Sequence, residues 1–291
     1  MEIKRVFIVG AGLMGSGIAQ VSAQSGINAT LNDISQEAID KGLKDIAWSV
    51  SKFIEKGKLT EDKETILNRI SIDNDLSGAA DTDLVIEAVF ENLELKQDIF
   101  RKLDGICQKS TILASNTSAI PITELASVTK RAGKVLGIHF FSPVPMMAVV
   151  EIIRGINTTE ETMLAGVDFV KSIGKEPIRV ESDVAGFLLN RINFPSTIEA
   201  IRLVEQGIGT VEDIDKGMRL GFGRKMGPFE TGDMAGLDVT YGALMACYEE
   251  TKDPRFYPPQ LLRRKVKAGH LGRKTGKGWY EYNEDGTKKT G

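Results

Sequence analysis

The chain is predicted to be an α/β protein: a doubly wound, mostly parallel sheet with a helical hairpin inserted in it, followed by an all-α C-terminal domain. Three observations carry this. A β-rich apolar run, Arg5–Val9, leads straight into a glycine-rich turn and a helical segment. Apolar strands then recur at 83–89, 111–116 and 135–141, the first two each followed by a helical pattern, the rhythm of a parallel sheet. From Gly186 onward the pattern is helical throughout. These place a nucleotide-binding domain over residues 1–183, with a hairpin insertion at about 36–70, and a helical domain over 184–291.

Composition narrows the class. With 42% hydrophobic and 26% charged residues, the 291-residue chain is a globular protein long enough for one large or two ordinary domains. A formal net charge of -3 provides no global field to attract nucleic acid. Cys107 and Cys247 are far apart and lack metal-ligand spacing, so they read as buried thiols of a reducing compartment, and no metal is expected. No run approaches the roughly 18 to 20 apolar residues of a membrane span. A strand begins almost at Met1, leaving no room for a leader, and a cytoplasmic protein is expected.

The first strand ends in G-A-G-L-M-G-S-G, residues 10–17. The glycines of a dinucleotide site play distinct parts. Gly10 makes the tight turn, Gly12 lets the backbone approach the pyrophosphate, and Gly15 allows close helix–strand packing. The phosphates then rest on the helix N-terminus, at Leu13 and Met14, where free N–H groups and the helix dipole favour anions. A second strand, 27–32, ends in Asp33, in the position of an acceptor for a ribose 2′-OH. That carboxylate would repel a 2′-phosphate, so this Rossmann-like motif favours NAD over NADP.

Residues 35–70 interrupt a minimal nucleotide fold. Ser35 is a plausible N-cap for a Lys-rich helix that breaks near Gly57, and a second helix follows from about Thr60. Such a charge-laced hairpin is usually a solvated face; its functional reading is a basic arm for a phosphorylated ligand. Beyond the later strands, polar residues converge on one rim: Glu91 and Lys96, then Asn116, Thr117 and Ser118, then His139. Ligands of such sheets bind at the carboxyl ends of the strands.

His139, one of two histidines, lies in the apolar run G-I-H-F-F (137–141), and Glu151 in a second apolar run, V-V-E-I-I (149–153). Pro143 and Pro145 end the first run. A bend there that folds the second run back would pair an imidazole with a carboxylate, a general acid/base poised near neutral pH. A histidine in an apolar strand is more often a satisfied core residue, so this stretch alone leaves both readings open.

Taken together, G-A-G-L-M-G-S-G-I-A-Q (10–20), D-L-V-I-E-A-V-F-E-N-L-E-L-K (83–96), A-S-N-T-S (114–118), G-I-H-F-F-S-P-V-P-M (137–146), G-F-L-L-N-R (186–191), E-D-I-D (212–215), M-G-P-F-E (226–230) and G-R-K-T-G-K-G-W-Y (272–280) make the chain resemble the short-chain L-3-hydroxyacyl-CoA dehydrogenases over essentially its whole length. The resemblance implies NAD-dependent oxidation of a 3-hydroxyacyl-CoA such as 3-hydroxybutyryl-CoA. It implies a catalytic His139–Glu151 dyad, Ser118 at the substrate hydroxyl and the nicotinamide, and Asn190 near the thioester carbonyl. Glu91 and Lys96 fall on nicotinamide-ribose contacts, with Asn116 also at the cofactor. The hairpin becomes the CoA arm, with Ser49, Lys52 and Lys56 as contacts. A homodimer formed through the helical domain is implied as well.

Departures bear on substrate. Ser142, Ala148 and Val184-Ala185 differ from the family pattern, and Arg224-Lys225 is an unusual cationic pair. The pair reads first as two surface cations, and alternatively as a contact for a polar or carboxylated acyl tail. A longer, aromatic-pathway or dicarboxylic 3-hydroxyacyl-CoA is the alternative substrate. Two other classes share part of the pattern: a non-catalytic NAD-binding relative, against which intact His139, Glu151, Ser118 and Asn190 argue, and a β-hydroxyacid dehydrogenase, which uses lysine in place of a His–Glu pair. In the helical domain, Pro195 predicts a kink or restart, Thr210–Asp213 a capping box, and 236–249 and 259–268 further helices. The basic segment 263–277 reads as solvated surface, because it lacks interleaved aromatics.

Overall fold

The computed structural model describes residues 2–289 and divides into two compact units that meet in sequence at Val184 and Ala185. The first unit is an eight-stranded sheet with the order β3-β2-β1-β4-β5-β6-β7-β8. Its strands are β1 (Arg5–Val9), β2 (Asn28–Asn32), β3 (Ile70–Asp73), β4 (Leu84–Glu87), β5 (Ile112–Ser115), β6 (Val135–Phe140), β7 (Val149–Arg154) and β8 (Glu176–Val180). The first six run parallel; β7 is antiparallel to β6, and β8 runs parallel to β7. The strand order reverses between β1 and β4, the place where doubly wound sheets open a ligand crevice.

Central strands are apolar because both of their faces are covered. All four residues of β4 and of β5 are buried. Helix α1 (Leu13–Gln24) packs on β1 and β2, and α6 (Glu160–Ser172) packs on β6, β7 and β8. The intervening helices are α4 (Leu93–Ile106) and α5 (Ile122–Ala126). Glycines set the closest approaches. A Cβ on Gly15 would lie 1.8 Å from the Gly10 carbonyl oxygen, so α1 can meet the turn only without a side chain there.

The inserted hairpin consists of α2 (Gln36–Glu55) and a short α3 (Lys63–Leu67). Ser35 caps α2 by accepting from Ala38 N–H at 3.2 Å. The helix lies against α1 through Ile39, Gly42, Ile46 and Val50, at helical spacing on its buried side. The sequence pattern did not resolve β3, which follows the hairpin directly. It is a four-residue edge strand, Ile-Ser-Ile-Asp, with no fully buried position, and an alternation that short does not mark a strand.

The second unit carries α7 (Leu189–Glu205), α8 (Val211–Phe222), α9 (Pro228–Ala235), α10 (Leu237–Thr251) and α11 (Gln260–Lys267). Of the kink or restart expected at Pro195, the restart does not occur: α7 continues through it, forgoing the bond that an N–H at 195 would give the Arg191 carbonyl. Phe194, Ile198 and Ile201 on either side of the proline are buried, and that packing outweighs one lost hydrogen bond. At α8 the capping box is altered. Thr210 Oγ1 accepts from Asp213 N–H and donates to Asp213 Oδ2, the shorter aspartate bonding the hydroxyl. After α11 the chain forms a single 3-10 turn, Arg273–Thr275, and isolated bridges. These are tied down by Asp233, which accepts from Trp279 N–H, Tyr280 N–H and the Tyr282 hydroxyl at 2.8, 2.9 and 2.9 Å.

Both thiols are buried and unpaired, and desolvation pushes each up to about 11. Among the described residues no helix is long and apolar enough to cross a membrane, and no group of three or more His, Cys, Asp or Glu is placed to hold a metal ion.

Candidate active site

The carboxyl end of β1 is shaped for an anion. Gly10 has φ +107°, and a Cβ there would meet the Ala88 carbonyl oxygen at 2.7 Å, so the turn admits only glycine. Gly12 is the N-cap of α1 and has no side chain to cap it, which leaves the first-turn N–H groups of Leu13 and Met14 turned outward without a side-chain acceptor. A Cβ on Gly12 would find nothing within 4 Å, so its backbone faces open space. Asp33, at the end of β2, accepts from Ala11 N–H at 2.9 Å and Ser35 N–H at 3.0 Å. Its carboxylate is thereby fixed beside the turn. This donor-lined turn flanked by a carboxylate fits a pyrophosphate and an unphosphorylated ribose.

At the next rim position, Glu91 Oε1 accepts from Thr117 Oγ1 at 2.5 Å, Ser118 N–H at 3.0 Å and Ala119 N–H at 3.1 Å, with Ser118 Oγ at 3.4 Å. Burial alone would push the Glu91 carboxyl up. The Lys96 ammonium, the Thr117 hydroxyl and the Ser118 N–H outweigh burial together and hold it below the usual carboxylate range. Glu91 and Ser118 are thus brought together. Lys96 lies beside Glu91. Its ammonium is buried and spent on Glu87 Oε1 at 2.7 Å, the Val89 carbonyl at 3.2 Å and Glu91 Oε2 at 3.3 Å, so it stands behind Glu91. Asn116 uses its Oδ1 to accept from Phe140 N–H at 2.9 Å, tying the end of β5 to the strand that carries His139.

His139 and Glu151 occupy opposed positions on β6 and β7, and Nδ1 of the ring is 2.7 Å from Glu151 Oε2. His139 is 5% exposed and Glu151 0%. A buried carboxylate accepts, so Nδ1 carries the hydrogen and proton exchange falls to Nε2. The Phe141 ring flanks the imidazole at 4.6 Å between centroids. The loop joining the two strands is held by Lys175, whose Nζ donates to the Val144 and Met147 carbonyls at 2.7 and 2.6 Å. It also packs on α1, where a Cβ on Gly17 would come within 2.7 Å of Val144 Cβ.

On the hairpin, Ser49 and Lys52 share one face of α2, three residues apart, and Lys56 is the residue that caps its C-terminus. Ser49 Oγ accepts from Gln20 Nε2 at 3.0 Å, and Lys52 pairs with Glu55 at 2.7 Å. Asn190 belongs to the second unit, in the first turn of α7. Arg224 and Lys225 are exposed there, with Arg224 Nη1 3.4 Å from Asn193 Oδ1. Glu87, Gly17 and Lys175 were not singled out from sequence. Glu87 gave the same signal that singled out Glu151, a carboxylate inside an apolar run.

Residues 5–184 match the family model of the 3-hydroxyacyl-CoA dehydrogenase NAD binding domain, and residues 186–282 that of the 3-hydroxyacyl-CoA dehydrogenase C-terminal domain. A probable 3-hydroxybutyryl-CoA dehydrogenase of Bacillus subtilis is 44% identical over 285 residues, covering 98% of this chain and 99% of the relative. The mitochondrial hydroxyacyl-coenzyme A dehydrogenase of Mus musculus is 42% identical, covering 96% and 91%. The crystal structure of (S)-3-hydroxybutyryl-CoA dehydrogenase from Ralstonia eutropha superposes with a TM-score of 0.91 at 45% identity, covering 97% of this chain and all of that one. The chain therefore belongs to the NAD-dependent 3-hydroxyacyl-CoA dehydrogenase family.

Proposed function

We propose that this protein catalyses the reversible oxidation of a short-chain L-3-hydroxyacyl-CoA, 3-hydroxybutyryl-CoA in the first place, to the 3-oxoacyl-CoA. The observation that carries the reading is the buried His139–Glu151 pair, placed on the same sheet as the glycine turn. NAD supplies the hydride acceptor when bound. His139 Nε2 takes the proton of the 3-hydroxyl as general base, and Glu151 holds the ring in its Nδ1–H tautomer and stabilises the imidazolium that forms. Ser118, whose backbone Glu91 holds, orients the hydroxyl oxygen, a positioning effect rather than a proton transfer. Glu91 and Lys96 are assigned to the nicotinamide ribose, and Asn116 to the same end of the cofactor. Asn190 is assigned to the thioester carbonyl, and Ser49, Lys52 and Lys56 to the CoA moiety.

A cytoplasmic homodimer joined through the helical unit completes the reading. Its support is the run of exposed apolar side chains there, among them Leu188, Ile192, Leu220 and Phe222. The test of function follows NADH absorbance with acetoacetyl-CoA and, separately, with a carboxylated 3-oxoacyl-CoA. Fast oxidation with acetoacetyl-CoA supports the short-chain reading and makes Arg224 and Lys225 bystanders. Activity only with the carboxylated substrate keeps the mechanism and replaces the substrate. Silence with both, despite NADH binding, defeats the proposal.

A further inference from the structure

The end of β4 carries a charge cluster that proton transfer by His139 does not require. Glu87, the last residue of β4, is fully buried. Its Oε1 accepts from Lys96 Nζ and from Val89 N–H, each at 2.7 Å, and its Oε2 accepts from the Ser115 hydroxyl at 2.6 Å. Donors therefore meet both oxygens, as a carboxylate requires. Lys96 faces Glu91 as well, so two carboxylates share one ammonium and the cluster keeps one negative charge in excess. Glu87 and Lys96 are buried while the Glu91 side chain is 37% exposed, so the excess charge lies at the rim of the site.

A dinucleotide crosses this sheet at the reversal between β1 and β4. The glycine turn and Asp33 would hold the pyrophosphate and the adenosine ribose of a bound NAD, and the residues at the ends of β4, β5 and β6, where His139 stands, would then hold the nicotinamide end. The oxidised nicotinamide ring bears a positive charge and the reduced ring none. We propose that Glu87 is a positioning residue with a second effect: through Lys96 it holds the Glu91 carboxylate, and the excess negative charge it creates favours the oxidised over the reduced cofactor. This rests on the NAD reading of the site.

The experiment measures Kd for NAD+ and for NADH on the full-length protein by fluorescence titration. Glu87→Gln keeps the side chain's size and removes one charge. The NAD+ Kd is expected to rise on the order of tenfold relative to the NADH Kd, since only the oxidised ring carries a charge that the cluster can attract. The double variant Glu87→Gln, Lys96→Met restores the net charge and returns the ratio towards wild type even where both affinities fall. Ser115→Ala removes a hydrogen bond from the cluster without changing its charge, and leaves the ratio unaltered. This arm keeps the idea testable should Glu87→Gln fail to fold. Equal weakening of both cofactor forms in Glu87→Gln, or a tenfold shift in Ser115→Ala, overturns the proposal. A wild-type protein that binds neither form overturns the NAD reading and the proposal with it.

Discussion

His139 and Glu151 face one another across the antiparallel ladder of β6 and β7, and their side chains meet at 2.7 Å within the buried sheet. Direct opposition fixes the pair through backbone hydrogen bonds rather than through two independent side-chain rotamers. Replacing Glu151 by Gln keeps the shape and removes the charge that stabilises the imidazolium. Turnover of acetoacetyl-CoA is expected to fall about 10- to 10³-fold with NADH affinity retained. Steady-state kinetics with a parallel NADH titration checks it, and unchanged turnover would show that the carboxylate is only structural.

Lys175 acts on the same pair from a distance. Its ammonium holds the loop between β6 and β7 at two carbonyls, and burial pushes its pKa below the ordinary lysine range. Lys175→Met leaves those carbonyls unsatisfied and frees the loop to shift. We expect kcat to fall about tenfold while the NADH Kd stays near wild type. A wild-type kcat in a folded variant would mean that the loop needs no such clamp.

The second unit depends on Asp233. It holds Trp279 and Tyr280 by their N–H groups and Tyr282 by its hydroxyl, and a Cβ on Gly278 would come within 2.0 Å of its Oδ1. Asp233→Ala strands three donors at once, and a loss of about 3 kcal/mol or more is expected in urea unfolding, together with protease sensitivity between residues 272 and 289. A shift of under about 1 kcal/mol would show that water replaces these bonds at little cost.

Acid should weaken the surface network of Arg154, Glu160, Arg179 and Glu181. Hydrogen bonds from Arg179 and then Arg154 hold the Glu160 carboxyl at about 2. Because the folded value lies below the ordinary 4.5, the stabilisation is present above about 4.5 and is lost as pH falls toward 2. The urea midpoint should therefore drop more between about pH 6 and about pH 3 in the wild type than in Glu160→Gln. Equal drops would assign the acid sensitivity to other carboxylates.

Much of the fold and of the site is legible in the sequence alone. The glycine turn, Asp33 and the apolar strands declare themselves locally, because turn geometry and burial on both faces restrict residue type. His139 and Glu151 stand out as titratable groups in apolar runs, which a bend at the prolines that folds the second run back would pair. What escapes depends on tertiary partners. Lys96 is a rim candidate in the sequence, but its pairing with both Glu87 and Glu91 shows only in the fold. Lys175 gives no hint of the two carbonyls it reaches, 31 and 28 residues earlier in the chain. The edge strand β3 alternates over only four residues and buries none of them fully, too little to declare a strand. The continuity of α7 through Pro195 is set by packing that local propensity does not contain.

The most direct test of the central claim is the turnover of His139→Gln with acetoacetyl-CoA and NADH, measured beside its NADH Kd. Proton transfer through His139 predicts a loss of about 10² to 10⁴ in kcat with NADH binding unchanged. Wild-type turnover in that variant would contradict the assignment and remove the His139–Glu151 pair from the mechanism.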